Sequence, residues 1–430
     1  MKKFRTIWIL AVMLALSLPT VAQLTLDECQ QLARDNYPLL QKYGLIRQTT
    51  EFTIKNIKRG YLPQLSMNGQ ASYQSETANL PDVLSSMLEN SGYDYKGMGK
   101  DQYKISIDLN QVIWDGGNIK AQKDLATSDG KIQTAQTDVE MYAIRTRVNE
   151  LFFGILLLEE KIKLNEALQT LLLDNCRMLE TKKTHGTAMK SDVDVMQAEY
   201  LKARQDMTSL KSMQKSYRQV LSIFIGKDTT YIGRLQKPFA SLPQSCENNR
   251  PELQFYSTQI QHVKTQENLL NAGLCPKLSL FAQGFYGYPG YDMFDSMFDH
   301  DLKLNGIVGV KLSWNIGNLY TFKNDKHKLK LARKLIDTQR ETFLFNNHLQ
   351  STQEMEAINQ YRKMMEEDVD IIQLRTSVRK SAETQLEHGV IDVNDLLQEI
   401  TRENQARIDH SFHEVEMLKN IHELRNTINQ

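Results

Sequence analysis

The sequence has little of what marks several common classes of protein. Its 430 residues include four cysteines, which lie far apart and form no C-x-x-C pair: Cys29, Cys176, Cys246 and Cys275. This spacing indicates neither a disulfide scaffold nor a zinc site. The 52 lysine and arginine side chains balance the 52 aspartates and glutamates, so the basic excess that is typical of nucleic-acid-binding proteins is absent. With only 9 prolines and 21 glycines, the composition favours long helices over a collagen-like or disordered chain.

Long apolar runs are also rare, and the clearest one predicts an export signal. Lys2, Lys3 and Arg5 precede the apolar stretch 7–16, and small residues follow up to Ala22. This order is typical of a secretory signal peptide, and the stretch is shorter than the roughly 20 residues of a transmembrane helix. We therefore predict a signal peptide over residues 1–22. No later stretch is apolar enough to cross a bilayer as a helix, so the mature protein is secreted, periplasmic, or an outer-membrane β-barrel.

The remaining chain indicates an internal duplication. Four landmarks recur in one order, at an offset of 213 residues for the two proline pairs and of 200 to 203 for the others: Pro38 with Pro251, Pro63 with Pro276, Trp114 with Trp314, and Gly186 with Gly389. Collinear matches at nearly one offset do not arise by chance. We predict repeat 1 over about 23–226, a connecting segment 227–248 and repeat 2 over about 249–430.

Each copy contains two segments that predict β-strands. They follow a helix, which spans 26–59 with a break near Pro38 in copy one and 251–272 in copy two. Apolar and polar residues then alternate with period two, which is typical of strands with one apolar and one polar face. The apolar positions include Leu65, Met67, Ile105, Ile107, Leu109, Leu278, Leu280, Val308, Val310 and Leu312. The length of about ten residues also matches membrane-spanning barrel strands.

Aromatic residues lie at or near the ends of these strands. They are Trp114, Trp314, Tyr73, Tyr103 and Tyr286. Trp and Tyr at both ends of apolar-faced strands are typical of the aromatic girdle of a membrane barrel. The alternative is a soluble sheet with ordinary buried aromatic residues.

A long segment without proline follows each second strand, over 118–184 and 318–387, and a glycine turn and a return helix come next. Apolar residues recur at steps of four and three in the outgoing segment (Ile144, Val148, Leu151, Ile155) and in the return helix (Met196, Tyr200, Ala203, Met207). These heptads predict antiparallel coiled coils. A water-filled tube and a solid rod would both carry this pattern.

Together these features resemble the TolC family of outer-membrane export ducts. The likeness is carried by Leu24–Gln30 with Asn36-Tyr37-Pro38, by Gln111–Gly117, and by the two glycine turns with the segments 194–199 and 394–398 that follow them. The resemblance implies a mixed α/β fold, mostly long α-helical coiled coils and internally duplicated. It implies a trimer with a periplasmic α-barrel and a 12-stranded transmembrane β-barrel, four strands per chain. Four strands cannot close a barrel alone, and an open sheet edge is forbidden in lipid, so membrane insertion by itself requires an oligomer.

The function that the resemblance implies is a passive channel of a tripartite efflux or secretion system. It would lie in the outer membrane with a long periplasmic extension, as a homotrimer that works with a periplasmic adaptor and an inner-membrane pump. The alternatives are a type I protein secretion duct and a periplasmic coiled-coil structural or adaptor protein without a pore. A periplasmic adaptor has one coiled-coil hairpin, whereas this sequence predicts two.

No catalytic motif for a nucleotide, a hydrolase or a zinc protease is present, so we predict no enzymatic activity, no cofactor and no metal. His410 and His413 are three residues apart on a predicted helix and could share a metal. The sequence offers them no third ligand, so ordinary surface histidines are the preferred interpretation.

The two glycine turns are implied to be periplasmic tips that dock the adaptor. The residues concerned are His185, Gly186, Thr187, His388, Gly389 and Val390. The alternative is structural, since a glycine in the left-handed conformation after a cationic residue commonly ends a helix. Both roles can hold at once.

The resemblance also implies a narrow periplasmic entrance with an aspartate just beyond the second tip, here Asp395. With Asp392 and Gln398 it forms the predicted pore constriction; Gln398 stands where the family often has a second acidic residue. A threefold ring of carboxylates would favour cations. The alternative is a helix cap, because Asp392 to Asp395, like Ser191 to Asp194, has the spacing of a helix start.

Residues 74–102 join the two strands of the first hairpin, and residues 287–303 join those of the second, both at the end opposite the helices. They are polar and aromatic and contain Gly92, Gly97, Gly99 and Pro289. Such composition suits exposed loops, and we predict that both face the cell exterior.

Overall fold

The structure is a computed structural model that describes residues 23–239, 241–243 and 247–429. The predicted signal peptide and Cys246 lie outside the described residues. The chain divides into two compact units. Among the described residues, the helical unit is drawn from 23–43, 135–254 and 339–429, and the sheet unit from 44–134 and 255–338.

The elements follow one order twice. The first half contains α1 (Leu26–Asn36), α2 (Leu40–Lys58), β1 (Gln64–Tyr73), α3 (Asp82–Asn90), β2 (Asp101–Trp114), α4 (Asn118–Tyr142), α5 (Ile144–Thr184) and α6 (Lys190–Ile225). The second half contains α7 (Pro251–Ala272), β3 (Lys277–Tyr288), α8 (Met293–Phe298), β4 (Lys303–Ser313), α9 (Asn318–Glu387) and α10 (Val393–Ile428). The prediction of a mostly helical chain with four strands is confirmed, and the predicted break near Pro38 separates α1 from α2.

The four strands form one antiparallel sheet in the order β1-β2-β3-β4. The register brings the predicted apolar positions onto one face: Leu109 lies between Leu65 and Ala282, and Tyr286 lies between Ile105 and Leu304. Because side chains alternate along a strand, this pairing produces one apolar face that continues across all four strands. Within the described residues, β1 and β4 each have one edge without a strand partner.

The long helices pack through the predicted heptads. Met196, Ala203 and Met207 of α6 are buried, as are Val148 and Ile155 of α5. One apolar cluster joins α1, α5, α6 and α10 around Phe152 and Phe153, and a second joins α5, α6, α9 and α10 near the glycine turns. No helix within the described residues is both long enough and apolar enough to cross a membrane.

The helix predicted over 118–184 is divided, which corrects that prediction. Ala143 alone separates α4 from α5, although its N–H still donates to the carbonyl of Val139 at 3.2 Å. The preceding residue, Tyr142, is held firmly: its ring centroid lies 5.0 Å from the guanidinium of Arg145 and 4.6 Å from that of Arg250. Such cation–π contacts stabilise the ring position. The corresponding helix of repeat 2, α9, runs 70 residues without interruption.

Candidate functional site

The apolar face of the sheet is exposed in the chain. Leu65, Val308 and Leu304 are 70%, 78% and 82% exposed. Soluble monomers rarely expose a contiguous apolar surface of this kind, and such surfaces mark contacts with membranes or partners. The face is therefore the first candidate functional surface.

Trp114 reaches this face through an irregularity in β2. Gln111 pairs with Leu280 and Val112 with Ser279, but the next pair is Trp114 with Leu278, which leaves Ile113 without a partner in the ladder. One extra residue reverses the alternation of the strand. Without it, Trp114 would lie on the same face as Val112. The alternation in the sequence contains no signal for this irregularity, because it depends on the partner strand.

The predicted aromatic residues lie in two bands. Trp114 and Trp314 lie at the sheet end that continues into α4 and α9, and the indole Nε1 of Trp314 donates to the carbonyl of Leu274 at 2.9 Å. Tyr73 and Tyr103 lie at the other end of the sheet. Tyr103 and Trp114 are about 35 Å apart along the strand at 3.3 Å per residue. A tilt of about 40° reduces this to about 27 Å, close to the height of the apolar band of membrane barrels.

Tyr286 lies slightly inside the second band. It pairs with Ile105 and Leu304, two register positions further from the sheet end than the pair of Tyr103 with Tyr288. Its ring is 52% exposed on the apolar face, a position that suits an amphipathic ring at the edge of an apolar layer.

The opposite face of the sheet carries a hydrogen-bonded polar cluster centred on Asp108. The carboxylate accepts from Asn68 Nδ2 at 2.8 Å, from Ser106 Oγ at 3.0 Å, and from Gln283. Lys104 Nζ donates to Gln283 Oε1 at 3.3 Å. Three strands contribute to this cluster, so a hydrated environment suits this face and an apolar one suits the other.

The segments predicted as exterior loops contain structure that the sequence analysis missed. Helices α3 and α8 lie within them, and Met98, Tyr288 and Met297 form a small buried cluster with their neighbours. The hydroxyl of Tyr288 accepts from the N–H of Gly99 at 2.7 Å and donates to the carbonyl of Ser296 at 3.0 Å. The contact between Gly99 and Tyr288 joins residues 189 positions apart in the sequence, so local patterns could not reveal it.

Both glycine turns have the same hydrogen-bonded geometry. In the first, the N–H of Thr187 donates to Lys182 and that of Gly186 to Lys183; in the second, Val390 donates to Gln385 and Gly389 to Leu386. This pair of bonds is the Schellman motif. Gly186 and Gly389 have φ values of 75° and 73°, where only glycine is unstrained. His185 and His388 are exposed beside them, and Val390 is 70% exposed.

Lys182 connects the two turns, a contact that sequence analysis missed. Its Nζ donates to the carbonyls of Leu386 and Glu387, each at 2.9 Å. These carbonyls belong to the last turn of α9, where the regular helical hydrogen bonds end, so a cation there stabilises the helix terminus. One lysine of repeat 1 therefore caps the long helix of repeat 2.

Asp392 and Asp395 form a reciprocal cap at the start of α10. Asp392 Oδ1 accepts from the N–H of Asp395 at 2.9 Å, and Asp395 Oδ2 lies 3.4 Å from the N–H of Asp392. Asp392, Asp395 and Gln398 are all exposed and follow each other at helical spacing on one face. The capping interpretation is thus present in the geometry, and the same exposed face leaves the carboxylates accessible to solvent.

The first tip differs from its predicted start. Helix α6 begins at Lys190, and its cap pairs the N–H of Met189 with Asp192 Oδ2 at 2.9 Å. Ser191 lies inside the helix, so the predicted start at Ser191 to Asp194 is wrong. Asp192 lies two residues nearer to the glycine turn than Asp194, and its carboxylate accepts from the N–H of Met189.

Beyond the second tip, charged side chains link α9 to α10. Glu403 is 6% exposed and accepts from Arg407 at 2.7 Å, from Thr376 at 2.8 Å, and from Arg379. Burial raises the pKa of Glu403, but these donors outweigh it, so the pKa lies below its ordinary value. The carboxylate is therefore ionised and holds the two helices together.

The histidine pair also serves as a link between these helices. His413 Nδ1 lies 2.7 Å and His410 Nδ1 3.4 Å from Asp368 Oδ2 of α9. Among the described residues, no group of three His, Cys, Asp or Glu side chains is arranged to hold a metal ion. Cys29, Cys176 and Cys275 are free thiols, and burial, with a smaller contribution from Glu28, raises the pKa of Cys29 to about 12.

Comparison with known proteins agrees with this geometry. Residues 30–227 match the sequence profile of the family described as outer membrane efflux protein, and no curated protein matches the chain in sequence. The solved outer-membrane channel OprN has a similar fold, with a TM-score of 0.67 at 12% identity over 94% of this chain and 89% of that chain. The outer membrane protein VceC from Vibrio cholerae has a TM-score of 0.66 at 12% identity, over 94% of this chain and 95% of that chain.

A third similar structure is the outer membrane channel CmeC of Campylobacter jejuni, with a TM-score of 0.64 at 12% identity over 94% of this chain and 85% of that chain. At identities this low, the solved structures show a similarity of fold alone, whereas the profile match shows a similarity of sequence. The resemblance found in the sequence is thereby confirmed. Residues 30–227 are similar in sequence to the outer membrane efflux protein family, and the chain has the fold of these outer-membrane channels over 94% of its length.

Proposed function

We propose that this protein is the outer-membrane channel of a tripartite efflux system, a passive conduit for small molecules. The surface of the four-stranded sheet is the observation that supports this proposal most directly. Its apolar face is continuous and exposed, its other face is polar, and both of its edges are open among the described residues. A sheet of this kind is stable in a bilayer only when its edges are closed.

Three copies close the edges in this proposal. The β4 edge of one copy pairs with the β1 edge of the next, which gives a 12-stranded barrel with four strands from each chain. The apolar face then contacts lipid, the two aromatic bands lie at the two interfaces, and the polar cluster around Asp108 lines a hydrated lumen. The exposed apolar side chains at helix surfaces, such as Leu335 (65%) and Leu374 (66%), are covered by neighbouring copies.

The helices provide the periplasmic part of the conduit. The glycine turns, with His185, Gly186, Thr187, His388, Gly389 and Val390, dock a periplasmic adaptor that connects the channel to an inner-membrane pump. Asp395, with Asp392 and Gln398, lines the narrow entrance. The exposed carboxylates at the start of α10 support this assignment, because three copies would bring them around one axis.

Small molecules are the proposed cargo, and a protein secretion duct is the alternative. The pump selects the cargo in such a system, so the chain itself acts by conduction. The proposal includes no catalytic step, cofactor or metal.

Membrane extraction and conductance test the proposal together. Outer membranes of cells that produce the protein should release a trimer that dissociates to monomers on heating in detergent. The purified trimer should form steady conducting pores in a planar lipid bilayer. A processed protein that fractionates as a water-soluble periplasmic monomer would refute the proposal.

A further inference from the structure

A basic groove lies in the sheet unit between α7 and the first turns of α9. It encloses about 790 Å³. Its exposed side chains are mostly cationic: Lys264, Lys323, Lys326, Lys330 and Arg333. Half-buried apolar side chains lie between them, including Val263 and Phe322. Glu267 is the one carboxylate in the lining, and Lys326 pairs with it at 3.1 Å.

The duplication shows that the architecture does not require this charge. Residues 318–338 contain six basic and two acidic side chains, whereas the matching segment of repeat 1, residues 118–138, contains three of each. Ala126, Gly130 and Gln133 stand where repeat 2 has Lys326, Lys330 and Arg333. Both segments begin four residues after the tryptophan of their repeat and form helices. The basic side chains of repeat 2 are therefore not needed to form the helix, which indicates another role for them.

The position of the groove points to the membrane surface. Helix α9 begins at Asn318, four residues after Trp314 of the aromatic band. At 1.5 Å per residue, Lys323 lies about 8 Å and Lys330 about 18 Å from the helix start. Side chains lean toward the helix N-terminus, and the N-terminus of α9 is the end next to the sheet. The ammonium groups are therefore closer to the sheet than their Cα atoms, within reach of lipid headgroups.

A second copy of the chain is a poor occupant of the groove. In a ring of copies, the repeat 2 edge of one chain meets the repeat 1 edge of the next. The repeat 1 helix at this level, α2, is itself basic in its C-terminal part. Residues 47–58 contain three basic side chains, Arg47, Lys55 and Lys58, and one carboxylate, Glu51, which pairs with Lys55 at 2.9 Å. Charge complementarity thus favours an anionic occupant from elsewhere.

We propose that the groove binds the headgroup of an anionic phospholipid from the membrane leaflet next to the helices. The inference rests on the proposed membrane position of the sheet. Lys323 and Lys326, the basic residues of α9 nearest to the sheet, contact the phosphate, and Lys330 and Arg333 add positive charge that attracts it. The apolar side chains between them contact the glycerol and the first acyl carbons. A basic cluster next to a membrane-spanning segment attracts anionic lipid, and each basic side chain contributes about fivefold in binding.

The test uses native mass spectrometry of the purified full-length processed protein in detergent. It is titrated with phosphatidylglycerol or with phosphatidylcholine that has the same acyl chains. The groove variant carries Lys323→Gln, Lys326→Gln, Lys330→Gln and Arg333→Gln. The matched control carries Lys120→Gln, Lys123→Gln and Lys131→Gln on α4 of repeat 1. Heat-modifiable oligomers show that each variant has folded.

The parent and the control should bind phosphatidylglycerol at least about tenfold more tightly than phosphatidylcholine, and the groove variant should bind the two lipids about equally. Two results would overturn the proposal: a groove variant that keeps its preference, or a control that loses it equally. Displacement of the lipid by millimolar inorganic phosphate would instead assign the groove to a soluble anion and also overturn it. Bilayer conductance of the same preparations separates the outcomes, because a parent that conducts without lipid preference refutes only this inference.

Discussion

Asp395 caps a helix and is also proposed to line the pore constriction, and both roles depend on its single carboxylate. Its Oδ2 faces the N–H of Asp392, and its own N–H is bonded to Asp392 Oδ1 at 2.9 Å. Asparagine also accepts from backbone amides at such a position, so the cap tolerates the amide. The ring of negative charge in the proposed trimer would not tolerate it, because the substitution would remove all three charges at once.

Asp395→Asn therefore separates the roles. The variant should form trimers of unchanged stability, while its pores lose part of their cation selectivity and are blocked severalfold more weakly by multivalent cations. Single-channel recordings in a planar bilayer measure both quantities. Asp292→Asn is a matched control, because Asp292 also caps a helix, α8, which lies in the predicted exterior segment 287–303. Unchanged conductance and block in Asp395→Asn would leave this residue as a cap alone.

A second single residue, His422, leads us to expect that the stability of the protein depends on pH. Burial, with a smaller contribution from Arg425, lowers the pKa of His422 to about 4 from 6.5, and its ring packs against Phe153 at 5.6 Å between centroids. Between these two pH values the unfolded chain binds a proton that the folded chain does not. The contribution of neutral His422 to the free energy of unfolding is therefore complete above pH 6.5 and decreases as the pH falls toward 4.

His422→Leu removes this titration. The midpoint of thermal unfolding should fall between pH 6.5 and pH 4 in the parent, and the fall should be smaller by a few degrees in the variant. The exposed His348 provides a control, since His348→Gln should behave as the parent does. An equal fall in parent and His422→Leu would exclude His422 as the source.

At the scale of elements, the tips combine a chain reversal with an exposed surface. The Schellman bonds fix the backbone, so the side chains of Thr187 and Val390 can change without loss of the turn, apart from the hydroxyl bond of Thr187 to Lys182 at 3.1 Å. Docking depends on what those side chains present. The two roles of the tip are therefore separable by substitution.

Val390→Arg and Thr187→Arg should each abolish efflux while trimers form normally, because a bulky charge would disrupt an adaptor contact and leave the helices intact. Drug resistance of cells that produce each variant measures efflux. Val83→Arg serves as the control, since Val83 is 73% exposed and lies in α3 among the predicted exterior loops. Resistance equal to the parent in both tip variants would remove the docking assignment.

The elements also show which features the sequence could predict. Glycine, proline and heptad spacing are local, and they predicted the turns, the break near Pro38 and the coiled-coil seams around Met196 and Val148. The unpaired Ile113, the Lys182 contact and the cluster around Asp108 depend on residues 160 or more positions away or on a partner strand. No local pattern encodes such pairings. The site residues that came from the family resemblance remain proposals for the same reason.

At the scale of the whole molecule, the proposed orientation places α3 and α8 outside the cell. Both lie at the sheet end that carries Tyr73 and Tyr103, opposite the tryptophans that precede the long helices. An epitope inserted after Asn90, at the end of α3, should be labelled by antibody on intact cells. An epitope inserted after His388 should be labelled only after the outer membrane is permeabilised. Labelling in the reverse order would invert the topology, and an Asn90 epitope that stays hidden on intact cells would contradict the exterior position of the loop.

The open edges of the four-stranded sheet have a consequence for how the protein is made. An exposed strand edge next to an apolar face is a template for pairing with any other chain, so we expect the isolated monomer to be prone to aggregate in water. In the proposed trimer, closure of the barrel needs neighbouring copies, so we expect folding of the sheet and assembly to be one concentration-dependent event. We therefore expect newly exported chains to need a holding chaperone until insertion, and chaperone-depleted cells to lose this protein to proteolysis before they lose outer-membrane proteins whose barrel closes within a single chain.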